Sequence, residues 1–330
     1  MSLTFLPIIV IVLLAWTYDF YNGMNDCANS IATSVSTRAL TPRQAIFMAF
    51  LMNILGAFIT TQVAKTIGKG LVDPAVVDFY IVIASLVGAI GWSAVATHSG
   101  IPISITHALV GGIVGAVIAS HGSGALEMKG ISLVVTAMII SPVAGFFFGF
   151  LMLVAMMRLA RYAKPYTANQ TFRRAQILSA AFMALSHGAN DTQNAMGIIT
   201  MALVAGKLIP TFEVPKWVIL GSAFFMGLGT YTGGWNVIRT MGIRVVKLHP
   251  VHGFSAETSS AIVILLNTLL GAPISTTHVI STAIVGVGAA EKPNRVNWGT
   301  VGNIVVTWIL TIPGSGIIAA IAYRVFRLIV

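Results

Sequence analysis

Apolar residues in this chain come in long blocks separated by short polar connections. A helix needs about 20 mostly apolar residues to cross a bilayer, and blocks of that kind lie near 3–21, 45–64, 76–97, 131–157, 175–205, 217–238, 258–290 and 300–323. The pattern predicts a set of transmembrane helices, several of them long enough to be broken or doubled. The first block has no basic segment after Met1 and no small-residue cleavage pattern ahead of Asn22. It is therefore expected to be a retained helix rather than a signal peptide.

The polar residues that interrupt these blocks repeat. NGMNDCANS stands at 22–30 and HGANDTQNA at 187–195, with Asp26 and Asp191 165 residues apart. GIPISITH at 100–107 returns as GAPISTTH at 271–278, an offset of 171 that persists to Pro142 and Pro313. Two halves, 1–157 and 172–330, thus carry the same parts in the same order on either side of a linker at 158–171. Duplicated halves in a membrane protein bring equivalent sites together near the bilayer midplane. The expected architecture is an all-α polytopic membrane protein of two inverted repeats, with discontinuous helices and re-entrant, hairpin-like breaks at the midplane.

Composition agrees with lipid as the solvent: 56% of the 330 residues are hydrophobic and 8% are charged. The net charge of +10 does not mark a nucleic-acid binder, because the basic residues gather at the ends of the apolar blocks rather than along one face. Arg158, Arg161, Lys164, Arg173 and Arg174 crowd the central connection, which the positive-inside rule assigns to the cytoplasm. Attraction to anionic lipid explains such residues without a further partner. The expected location is the plasma or inner membrane. The single cysteine, Cys27, leaves no internal disulfide and no thiolate metal site.

Of the nine acidic residues, Asp73, Asp78, Glu127, Glu213 and Glu291 fall in polar connections, whereas Asp26 and Asp191 do not and stand in hydrophobic surroundings. A charged side chain at the centre of a span costs about 2.5–3.5 kcal/mol on insertion scales, so each is expected to face a cavity, an ion or a partner. On a helix, Asn25, Asp26 and Asn29 gather on one side, and Asn190, Asp191 and Asn194 repeat the arrangement. Oxygen ligands with one negative charge suit a hard cation such as sodium, or a titrating proton. Gly23 and Gly188 just ahead are expected to let the helix break and expose carbonyls. The competing structural reading, in which these residues only cap helices or join spans, is weaker for two matched clusters than for one.

The other repeated motif suits an anion. Gly100 with Pro102, and Gly271 with Pro273, break apolar runs, and each break is expected to start a helix with Pro in its first turn. Hydroxyls follow at once: Ser104 and Thr106 in one half, Ser275, Thr276 and Thr277 in the other. Free N–H groups and hydroxyls at a helix N-terminus bind anions. Two such termini meeting near the midplane would hold an oxyanion without a fixed Lys or Arg, and an adjacent cation would offset its charge. His107 and His278 are matched as well, but a lone His on an apolar face is more often structural.

The stretches DFYNGMNDCANSIATSVSTRAL, SHGANDTQNAMGIIT, GIPISITH and GAPISTTH resemble the duplicated signatures of the inorganic phosphate transporter (PiT) family, over essentially the whole chain and in the same order. The resemblance implies an inverted-repeat secondary transporter that moves inorganic phosphate with sodium or protons. Carried over by motif, Asp26, Asn29, Asp191 and Asn194 would bind the coupling cation with Asn25 and Asn190 in support. Ser104, Thr106, Ser275, Thr276 and Thr277 would hold phosphate. Glu257 resembles a family glutamate tied to transport, and its first-half counterpart is Leu86, so that role is one-sided. Many bacterial relatives have His where Asn25 stands and Lys where Asn194 stands. An Asn offers a carbonyl oxygen to a bound cation, which favours sodium over a proton as the coupling ion.

Alternatives within the class are a proton-coupled phosphate symporter and a sulfate permease. An anion channel would need a pore lined by basic residues, which the spans lack. An enzyme is not expected: HExxH, a Gly-x-Ser-x-Gly elbow in a suitable context and a Gly-rich GK[ST] loop are all missing, and no organic cofactor is implied. The GxxxG spacings Gly111/Gly115 and Gly145/Gly149 fit either a homo-oligomer contact or packing within one chain, the latter being commoner in duplicated transporters.

Overall fold

The computed structural model describes residues 5–72 and 76–329; Asp73 and the first residues of the leading apolar block lie outside the described residues. The first half comprises α1 (Phe5–Ser36), α2 (Pro42–Gly56), α3 (Gln62–Lys69), α4 (Phe79–Ser99), α5 (Ile105–His121) and α6 (Met128–Leu159). The second comprises α7 (Pro165–Asp191), α8 (Gln193–Ala205), α9 (Lys216–Thr232), α10 (Trp235–Arg239), α11 (Pro250–Leu269), α12 (Thr276–Glu291) and α13 (Trp298–Ile329). The protein is all-helical, with α10 running into a single π-helical turn at Thr240–Arg244.

Four of these helices, α1, α4, α6 and α13, are long and apolar enough to cross a membrane by themselves. The remaining apolar blocks are divided. The block near 45–64 becomes α2 and α3, the block at 175–205 becomes α7 and α8 with a one-residue interruption at Thr192, and the block at 258–290 becomes α11 and α12.

Local chemistry explains the divisions at the two repeated motifs. Gly100 and Gly271 take left-handed conformations, φ 71° and 73°, which end α4 and follow α11 at little cost only because neither has a Cβ. The next residues are non-helical, and Ser104 and Ser275, themselves extended, then cap α5 and α12, each Oγ accepting the backbone N–H three residues on, at 3.2 and 3.1 Å. Pro102 and Pro273 thus precede the caps instead of occupying the first turn, where the sequence reading put them. A non-helical position before the cap suits proline as well as the first helical position does, because neither needs an N–H.

The halves are interlocked. The closing helix of each half lies along the broken helix of the other: α6 packs on α12, and α13 on α5. Small residues make the approach close, since a Cβ on Gly115 would stand 2.1 Å from the Gly316 carbonyl oxygen, and one on Gly145 would stand 2.3 Å from that of Val279. Both GxxxG spacings therefore serve contacts inside one chain, where small residues let helix backbones meet.

Gly23 and Gly188 differ from expectation in the same way. α1 runs without interruption through Gly23, and Gly188 lies within α7. A Cβ at Gly23 would fall 2.0 Å from the Met226 carbonyl oxygen of α9, and one at Gly188 2.3 Å from that of Asn53 in α2. These glycines admit a neighbouring helix to the back of each Asn–Asp cluster; they do not break the chain there.

Candidate functional site

Both Asn–Asp clusters and both helix breaks meet in the interior. Asp26 and Asp191 are each 1% exposed, and Asn25, Asn29, Asn190 and Asn194 are likewise buried. The contacts run across the halves. Asn29 of α1 donates to the hydroxyls of Thr277 and Thr276 on α12, at 3.0 and 3.3 Å. Asn194 of α8 donates to Thr106 on α5 at 2.9 Å. The supporting pair is matched too, Asn25 with Thr97 at 2.9 Å and Asn190 with Thr268 at 2.8 Å. When the Asn190 amide is turned so that its oxygen accepts from Thr268, its nitrogen reaches Asp191 Oδ1 at 3.0 Å, the orientation that satisfies both ends of the amide.

The carboxylates break this symmetry. Thr277 Oγ1 donates to Asp26 at 3.0 Å and Thr276 Oγ1 donates to Asp191 at 2.8 Å. Both negative charges therefore sit at the N-terminus of α12, where the helix dipole favours them. The start of α5 has the amide of Asn194 in their place. Sequence reasoning treated the hydroxyl and Asn–Asp groups as separate sets; the fold joins them into one hydrogen-bonded cluster.

His187, missed by that reasoning, stands between the carboxylates. Its Nε2 lies 3.1 Å from Asp191 Oδ2 and 3.9 Å from Asp26 Oδ2, and its Nδ1 is 2.9 Å from the Asn53 amide oxygen. That oxygen is oriented by the Asn53 amide nitrogen, which donates to Thr230 at 3.0 Å, so Nδ1 carries a proton and Nε2 faces the acids. Asp26, His187 and Asp191 offer ligand atoms within 4.8 Å of one another. The signal was present in HGANDTQNA, where His187 is one helical turn before Asp191; its counterpart at the 165 offset is Asn22, which donates to the Asp191 carbonyl at 3.4 Å. Tyr18, buried beside the cluster, donates to the Ile105 carbonyl at the start of α5 at 3.1 Å.

Several acceptors in the cluster have no hydrogen-bonding partner among the described residues. They are the amide oxygens of Asn22, Asn25, Asn29 and Asn194, each on a side chain with no more than 1% exposure. Buried polar atoms in native proteins are nearly always satisfied, so these unpartnered oxygens near two carboxylates stand out, and their chemistry is the kind a hard cation takes. Among the described residues no Lys or Arg is buried.

Glu257 lies apart from this cluster. It accepts hydrogen bonds from the hydroxyls of Thr33 and Ser179 and from Gln176 Nε2 at 3.0 Å, tying α11 to α1 and α7. His107 and His278 meet edge to face with ring centroids 4.9 Å apart, and His278 lies 3.9 Å from the Trp308 ring. Both histidines are buried and packed against aromatic rings, and the ring nitrogens of neither are hydrogen-bonded as those of a satisfied core histidine would be.

The residues so assembled match a known group of proteins. The model of the phosphate transporter family matches residues 22–167 and again residues 159–319. The chain is 43% identical to a Bacillus subtilis protein named "Probable low-affinity inorganic phosphate transporter", with both chains covered completely. It is 42% identical to a Rhizobium meliloti protein of the same name, over 98% of this chain and 97% of that one. A solved structure named "The sodium-dependent phosphate transporter" superposes with a TM-score of 0.90 at 29% identity, covering 98% of this chain and all of the other.

Proposed function

The chain belongs to the phosphate transporter family, and from that premise we propose that it imports inorganic phosphate across the cell membrane by symport with sodium. The observation that carries the sodium reading is the set of orphaned amide oxygens of Asn25, Asn29 and Asn194 around Asp26 and Asp191. A proton needs one carboxylate and no carbonyl ligands, whereas sodium takes several oxygens at once. The similar solved structure is of a transporter named as sodium-dependent, which supports the same choice.

Charge makes the coupling obligatory. Phosphate bound by Ser104 and Thr106 at α5, and by Ser275, Thr276 and Thr277 at α12, would stand beside two carboxylates with no Lys or Arg buried among the described residues to compensate. Like charges in a low-dielectric interior repel strongly. Cations held by Asp26 and Asp191, with Asn25, Asn29, Asn190 and Asn194, would turn that repulsion into attraction, so phosphate affinity would rise with sodium. In this reading the halves 1–157 and 172–330 are inverted repeats, and the exposed basic residues in and just after the linker, Arg158, Arg161, Lys164, Arg173 and Arg174, face the cytoplasm of a plasma or inner membrane.

Proton coupling is the second reading, and His187 is the observation behind it, since its Nε2 reaches both acids. The deciding experiment is uptake of radiolabelled phosphate by purified protein in liposomes, with sodium and proton gradients imposed separately and excess sulfate as competitor. Uptake driven by sodium alone and indifferent to sulfate supports the proposal. Uptake that follows only the proton gradient replaces sodium by a proton on Asp26 or Asp191.

A further inference from the structure

α1 presents one continuous polar column to the interior. Asp19, Asn22, Asp26, Asn29 and Thr33 follow at spacings of three and four residues and are all buried, so they share one face of the helix. At about 1.5 Å per residue the column is about 21 Å long, and Asp19 stands about 10 Å from Asp26. Acidic groups occupy three levels: Glu257 at Thr33, the Asp26 and Asp191 pair in the middle, and Asp19 at the other end.

Asp19 is the level that nothing so far explains. It is 0% exposed, and neither carboxylate oxygen has a hydrogen-bonding partner among the described residues. Glu257 has three donors; Asp191 has a threonine and an asparagine, with the His187 ring nitrogen 3.1 Å away. Two oxygens and one unpartnered indole N–H, that of Trp16 against Gly221, lie in this part of the α1–α9 contact. The hydroxyl of Ser222 on α9 points a proton donor toward the carboxylate but outside hydrogen-bonding geometry, and it has no other partner, as is the case for the amide oxygen of Asn22 one turn along α1. Trp16, stacked on Phe225 at 5.0 Å and edge-on to Trp217 at 6.3 Å, covers the adjoining part of the contact between α1 and α9. A buried carboxylate faced by no more than one weakly placed hydroxyl, with no Lys or Arg buried among the described residues, is too costly to stand alone.

We infer that Asp19, the Ser222 hydroxyl and the Asn22 amide oxygen form a separate site for a hard monovalent cation, sodium, two helical turns along α1 from the central cluster. An all-oxygen donor set with a single negative charge fits that ion and disfavours softer metals. The site is one-sided: the 165 offset pairs Asp19 with Ala184, so the second half has no copy of it. Asn22 joins it to the central cluster, because its amide nitrogen donates to the Asp191 carbonyl while its oxygen is free for the ion. The inference rests on the sodium reading of the proposed function.

The test is equilibrium binding of radioactive sodium to the purified full chain in detergent, comparing wild type, Asp19→Asn and Asp26→Asn. The expected result is one sodium per chain fewer in Asp19→Asn than in wild type, with the Asp19 ion retained in Asp26→Asn. Asp19→Asn is isosteric with a neutral carboxylic acid, so a binding isotherm equal to wild type overturns the site. If Asp19→Asn does not fold, Ser222→Ala removes one uncharged ligand and is expected to weaken the same ion about tenfold; an unchanged isotherm again overturns it. A wild type that binds no sodium defeats the sodium reading of the transporter and this site together. Loss confined to Asp26→Asn, with Asp19→Asn unaffected, defeats the Asp19 site alone.

Discussion

Asn29 of the first half donates to the Thr277 hydroxyl of the second at 3.0 Å, and Asn194 of the second returns the bond to Thr106 of the first at 2.9 Å. These two bonds carry the internal repeat into the middle of the protein. Each holds the N-terminus of a broken helix against the Asn–Asp cluster of the opposite half.

Replacing Asn29 or Asn194 by alanine leaves a buried threonine hydroxyl short of a partner, a cost of about 1–3 kcal/mol. Each variant is expected to reduce phosphate uptake at least about tenfold if, as proposed, the hydroxyl that this bond positions holds the anion. Asn29→Ala has the larger effect, since Asn29 also reaches Thr276. Initial uptake rates in liposomes, normalised to incorporated protein, measure this.

Asp26 and Asp191 differ in support. Asp191 accepts from Thr276 and is faced by His187 and Asn190; Asp26 has Thr277 and lies farther from His187. Both Asn variants are expected to abolish cation-driven uptake. Asp191→Asn should lose more stability, by about 1–2 kcal/mol, the scale of one further charge-assisted bond. Thermal unfolding of the two purified variants side by side reads the difference.

Gly115 meets Gly316 across α5 and α13, and a larger residue would drive its Cβ into the Gly316 carbonyl. Gly115→Val is expected to destabilise the single chain by about 3 kcal/mol or more, as overpacking at a backbone contact does, and to lower the yield of folded protein. A variant of unchanged melting temperature but altered oligomeric state by light scattering would instead make this glycine an intermolecular contact.

Glu257 collects hydrogen bonds from Thr33, Gln176 and Ser179 and so ties three helices together. Glu257→Gln keeps the size but presents an amide nitrogen where donors already point, and it is expected to cut uptake at least about fivefold and to cost about 1–3 kcal/mol of stability. Glu257→Asp, which keeps the charge, should be partly active. Uptake and melting temperature measured together separate a fault in coupling from a fault in folding.

Orientation is testable because the native Cys27 is buried. Tyr166, 76% exposed near the linker, can be changed to cysteine to provide the one accessible thiol. A membrane-impermeant maleimide should label Tyr166→Cys in inside-out vesicles and not in intact cells, if the basic linker is cytoplasmic.

Much of this molecule can be read in its letters. The apolar blocks and the matched motifs predict a duplicated, all-helical membrane protein with helix breaks at Gly100 and Gly271, because lipid forces backbone groups to be satisfied within helices and glycine is the residue that can take a positive φ. Charge patterning makes Asp26 and Asp191 stand out for the same reason: a carboxylate in an apolar block is too costly to be incidental. The role of Gly23 was misread, since a glycine that ends a helix and one that admits a neighbouring backbone look alike in a string.

What the chain alone determined is therefore the parts and their twofold repetition, which follow from local rules about solvent, hydrogen bonding and backbone freedom. Tertiary structure decided which parts touch: both carboxylates at the start of α12, His187 between them, Glu257 satisfied away from the centre, and Asp19 left with bare oxygens beside Ser222. Those relations join residues as much as about 250 positions apart in the chain. They depend on how interlocked helices rotate and approach, a collective result of packing small residues against backbone, and no local pattern encodes it.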